Sequence, residues 1–129
     1  MQIAGFRFPE DLSTILGVAR IHVPEIAARC GVSVETRQDP ELGPVYGFAL
    51  RLPSGRTIVV EEWEYDIQEH RSEGPYISTA TELVASGAAD AIFGEAVQVL
   101  MLDDSEIGWA PPANARLEAK LWLEKRQNK

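Results

Sequence analysis

The chain has one cysteine, three lysines and no apolar run long enough to cross a bilayer, and each scarcity closes off a class of protein. A lone Cys30 can form neither an internal disulfide nor a cysteine-based zinc site, and at the end of a short apolar segment it reads as a structural thiol. The most apolar stretch, "AVQVLML" at 96–102, falls far short of the roughly 20 residues that span a membrane. The opening "MQIAGFRFPED" lacks a basic region followed by an apolar one, so no secretory signal is expected and a cytoplasmic protein is. GxSxG, HExxH, CxxC and GxxxxGK[ST] are all missing, which leaves hydrolase, zincin, redox and P-loop readings without a motif.

Lysine is scarce in a particular place. Lys120, Lys125 and Lys129 all lie in residues 116–129, which carry a local net charge of +3, whereas residues 1–115 carry −11. The 44 residues between Arg71 and Arg116 hold 7 carboxylates and no Lys or Arg. Such a surface repels phosphate and attracts cationic partners, so neither nucleic acid nor a membrane is an expected partner.

At 129 residues the chain fits one domain with one core. No repeat, low-complexity segment or linker divides it. Ala4, Phe6 and Phe8 alternate as in a short strand, and Leu12, Ile15, Leu16 and Ala19 then fall at helical spacing, predicting a helix over about 10–21. Pro24 restarts a helix with Glu25 in its first turn, and Gly31 stops it. Val32, Val34 and Thr36 share a face of a short strand, and "QDPELGP" follows as a loop. Tyr46, Phe48, Leu50 and Leu52 alternate with Val45, Gly47, Ala49 and Arg51, and "PSG" turns this strand into "RTIVVEEWEYDIQ", predicting a hairpin. Thr79 and Glu82 have capping-box spacing for a helix over about 79–86. Val97 to Leu102 reads as a strand buried on both faces, and residues 113–126 read as a closing helix with Leu117, Leu121 and Trp122 on its apolar side. The expectation is an α+β domain, with a mostly antiparallel sheet of about four strands packed by N-terminal, middle and C-terminal helices.

Ala27 and Gly31 stand four apart between Ile26 and Val32, with Ser33 where a second helix could begin. This stretch of about ten residues resembles the first helix and turn of bacterial helix-turn-helix regulators. The resemblance implies a DNA-reading helix next, but "VETRQDPELG" follows, where Pro40 breaks any helix that reaches it. Glu35, Asp39 and Glu41 outnumber Arg37 on the would-be reading face, so the electrostatic component of DNA affinity is missing.

The most unusual local chemistry is "EEWEYDIQEH", which sets Glu61, Glu62, Glu64, Asp66 and Glu69 within nine residues without a cation. In a strand, Glu62, Glu64 and Asp66 lie on one face and Glu61, Trp63 and Tyr65 on the other. As an acidic strip with aromatic anchors it would bind a basic protein such as a toxin, with Glu61, Glu62, Trp63, Glu64, Tyr65, Asp66, Glu69 and the loop residue Trp109 as contacts. That expectation is a non-enzymatic protein of the immunity or antitoxin kind, without cofactor or metal. The alternative is a metal-dependent or small-molecule enzyme using Glu62, Glu64, Asp66 and His70, since residues two apart in a strand are roughly 6.6 Å apart and can share a cation. His22 reads as a loop residue between two helices.

Overall fold

The computed structural model describes residues 2–3, 13–41, 43–64, 75–80 and 89–109. Among the described residues seven strands pair in a single antiparallel sheet: β1 (Gln2–Ile3), β2 (Ser13–Ala19), β3 (Glu35–Asp39), β4 (Gly43–Arg51), β5 (Thr57–Trp63), β6 (Tyr76–Ala80) and β7 (Ile107–Trp109). Two α-helices appear among the described residues, α1 (Val23–Cys30) and α2 (Ala89–Val99). The class is therefore α+β as expected, with more strands than the sequence suggested. The strand order is β1-β4-β5-β6-β2-β7, and β3 shares the edge of β4 with β1.

The hairpin is where the alternation put it. Arg51 faces Thr57 in register, Val45 faces Trp63, and the turn closes with Leu52 N–H donating to the Arg56 carbonyl at 2.7 Å. Gly55 in that turn has φ 91°, a conformation that side chains resist. Alternation then sorts the two faces. Phe48, Leu50, Ile58 and Val60 join Ile26 and Ala27 of α1 and Ile92 and Ala96 of α2 in the main core, while Val45, Ala49 and Val59 form a smaller cluster on the opposite face.

Four elements depart from the sequence reading. The helix expected over 10–21 is strand β2, paired with β6, and the reason is a bulge: the register slips between Ile15 and Gly17. Leu16 is the extra residue, so it and Ala19 both reach the main core, and a three-residue spacing that looks helical arises in an extended chain. In place of the strand expected over 97–102, residues 97–99 end α2 and 100–102 form the turn that closes it; the buried Ala89, Ile92, Phe93 and Ala96 follow helical spacing that continues to Leu100. In place of a helix beginning at Thr79, β6 runs through to Ala80, and the Thr79 hydroxyl donates to the Thr57 carbonyl at 2.9 Å across the sheet. The short strand begins at Glu35 rather than Val32 and pairs with β4. The expected strand at 4–8, the rest of the helix over 79–86 and the closing helix over 113–126 lie outside the described residues.

Both helices end in the same way. In α1, Gly31 at φ 68° carries the left-handed turn, with Gly31 N–H bonded to Ala28 and Val32 N–H to Ala27. In α2 the matching bonds run from Met101 to Gln98 and from Leu102 to Val97, and the left-handed residue is Met101 at φ 57°. Among the described residues no helix is long and apolar enough to cross a membrane.

Candidate functional site

The acidic strand is built into the scaffold in four different ways. Glu62 faces the main core side of β5, where α1 packs, and is 3% exposed. Its Oε1 accepts the Val23 N–H at 2.8 Å and its Oε2 lies 3.0 Å from His22 Nδ1. His22, the residue preceding α1, makes no side-chain cap of its own, so a carboxylate forty residues away in sequence closes the helix. Glu62 is thus turned inward and is not part of an exposed charged face. A carboxylate oxygen can only accept from a ring nitrogen, so the His22 contact is a hydrogen bond in the tautomer that carries its proton on Nδ1. The imidazole itself is 63% exposed.

Glu61 points to the other face and pairs with Arg37 Nη2 at 2.8 Å, a diagonal contact from β3 over β4 to β5. Burial pushes its carboxyl above the usual carboxylate range, against the lowering pull of Arg37. Trp63 packs beside Val45, Ala49 and Val59, meets Tyr76 edge to face at 5.8 Å, and directs Nε1 toward Asp39 Oδ2 at 3.5 Å. Glu64 accepts the Tyr46 hydroxyl at 3.3 Å, and burial together with this carboxylate raises the Tyr46 pKa. Tyr65, Asp66, Glu69 and His70 lie outside the described residues. The backbone of Trp109 ends β7, opposite Val18.

The sequence missed a histidine that meets the strand: His22, which reads as a loop residue between two helices, lies against Glu62. The pair has the layout of an oriented acid–base group, but the first turn of α1 offers a substrate no free donor. Val23 N–H is bonded to Glu62, Pro24 has none, and the Glu25 and Ile26 N–H groups both bond the His22 carbonyl. Among the described residues, no group of three His, Cys, Asp or Glu side chains is arranged to hold a metal ion.

A second cluster gathers around Arg29. Its Nη1 and Nη2 grip Glu106 at 2.7 and 2.6 Å, a bidentate bond that joins α1 to the 3-10 turn at Asp104–Glu106. Nη1 also bonds the Met101 carbonyl at 3.0 Å, and Glu25 lies 3.4 Å from Nη2. Glu106 in turn accepts the Asp103 N–H, and the Arg29 guanidinium holds its carboxyl down at about 2. Glu25, Asp103 and Asp104 are exposed, and Met101, two residues before Asp103, is 60% exposed.

No family profile, curated protein or solved structure matches this chain.

Proposed function

We propose that this protein is a non-enzymatic acidic binding protein that masks a basic partner protein, in the manner of an immunity protein or antitoxin. The observation that supports the reading is the composition of the surface around Arg29. Glu25 and Glu106 pair with the Arg29 guanidinium, the charge of Asp103 acts on it as well, Asp104 is exposed one residue further on, and the exposed Met101 offers its carbonyl to Arg29. Carboxylates steer a cationic partner into contact, and an exposed, flexible thioether supplies apolar area that adapts to its shape. Strand β5 takes a different part in this reading from the one its sequence suggests. With Glu62 closing α1 and Glu61 held by Arg37, it supports the surface rather than forming it.

The test is capture of partners from the native lysate at low salt, comparing wild type with Glu25→Lys/Asp104→Lys and with Met101→Ala. Wild type is expected to retain a basic protein that the charge-reversed variant loses and the Met101→Ala variant retains more weakly. Equal capture by all three proteins refutes this surface. If the wild type retains no basic protein, the binding reading itself falls.

A further inference from the structure

The described residues contain two sulfur atoms, and their surroundings are opposite. Cys30 is half-buried at the end of α1, its thiol donates to the Val99 carbonyl at 3.6 Å, and burial pushes its pKa up against the opposing pull of Arg29. The thiolate is the form that attacks peroxides, so burial and the hydrogen bond both disfavour the reactive form of Cys30. Met101 is the most exposed of the large apolar side chains among the described residues, and a thioether has no proton to lose before it reacts.

We propose that Met101 is a hydroperoxide-modification site of this protein, oxidised ahead of Cys30 and returned by a dithiol reductant. In the forward step a sulfur lone pair attacks the terminal peroxide oxygen. The S–O bond forms as the O–O bond breaks, and the departing oxygen takes the peroxide proton to leave as water or an alcohol. Sulfur is oxidised by two electrons and the peroxide is reduced by two. In the return step two thiols become a disulfide and the sulfoxide oxygen leaves as water, the chemistry of methionine sulfoxide reductases.

Geometry accounts for how the fold tolerates the change. The Met101 side chain contributes no core packing, while its backbone is held by Arg29 on its carbonyl and by the turn bonds of Met101 to Gln98 and Leu102 to Val97. Oxidation thus replaces an exposed, apolar and flexible tip with a polar one and leaves the fold intact. Insofar as the binding surface proposed above is correct, the sulfoxide also removes its apolar anchor. That consequence rests on that reading, whereas the modification itself does not.

The experiment treats the full chain with hydrogen peroxide and maps oxygen addition by peptide mass, with Cys30 counted by thiol titration after unfolding. Expected results are addition at Met101 before loss of the Cys30 thiol, an unchanged melting temperature, and reversal by a dithiol-dependent sulfoxide reductase. Cys30→Ala should oxidise at Met101 at the wild-type rate. Earlier loss of Cys30, a melting temperature that falls as the sulfoxide forms, or slower oxidation in Cys30→Ala each overturns the proposal. Lysate capture is read separately: Met101→Leu should keep its partner after peroxide while wild type releases it. Failure of all proteins to capture a partner defeats the binding reading and leaves the modification site standing.

Discussion

The carboxylate of Glu62 on β5 closes the first N–H of α1, 2.8 Å from Val23 N. The bond fixes helix to sheet at a point where the helix has no cap of its own, and it explains why an acid is tolerated on the core side of a strand. Glu62→Ala leaves the Val23 N–H buried without its acceptor, and the expected loss is about 2 kcal/mol in urea unfolding. His22→Ala removes only the exposed partner and should cost less than about 1 kcal/mol. A larger loss for His22→Ala than for Glu62→Ala would show that the imidazole, not the cap, carries the linkage.

Glu106 gives the protein a defined acid sensitivity. Its carboxyl lies near 2 when folded, against an ordinary value of 4.5, chiefly because Arg29 bonds it. A depressed carboxylate contributes stability above the ordinary value and loses it as pH falls through the folded one. Stability measured by denaturant titration should therefore decline as pH drops from about 4.5 toward 2, and Glu106→Gln should flatten that part of the curve. An unchanged curve would place the acid sensitivity elsewhere.

The matched helix ends allow two substitutions of opposite sign. Met101→Gly relieves the left-handed backbone of a side chain that disfavours it, and about 1 kcal/mol of added stability is expected. Gly31→Ala imposes the same conformation on a side chain and should cost about 1 kcal/mol. Both are read from the same unfolding titration, and a loss of stability in Met101→Gly would show that its side chain packs after all.

For the pair across β4, the order of effects is the prediction. Glu61 is pushed up by burial, so its ionised form is costly in the fold, and Glu61→Gln removes that cost along with the pairing. Arg37→Met instead leaves the Glu61 carboxylate half-buried without its guanidinium, and it should destabilise more. Because the Glu61 pKa is raised, the Arg37→Met deficit should shrink as pH falls and Glu61 becomes protonated. A deficit that widens on acidification would contradict this assignment.

Much of the fold was legible where one rule acted alone. The hairpin β4–β5 shows strict alternation and a glycine turn, and α1 shows a proline start and a glycine stop, so both were readable from local chemistry. β2 was not, because its bulge at Leu16 gives a strand the spacing of a helix. α2 was missed because Val97, Val99 and Leu100 form an apolar run whose helical partners, Ile92, Phe93 and Ala96, lie upstream among small residues. At the site, the identity of the acidic strand could be read but its orientation could not. That Glu62 turns inward depends on α1 presenting an open N–H to it, a long-range fact that no window of sequence contains.

The sheet order also has a consequence for the newly made chain. β3, β4 and β5 are joined by consecutive hairpins and can pair as soon as they emerge, whereas β2, among the first strands to be synthesised, lies between β6 and β7. It must therefore wait, with both edges open, until residues 76–80 and then 107–109 leave the ribosome. Its contacts are the most delayed in the sheet, and a chain arrested before Ile107 retains a strand with one edge unfilled.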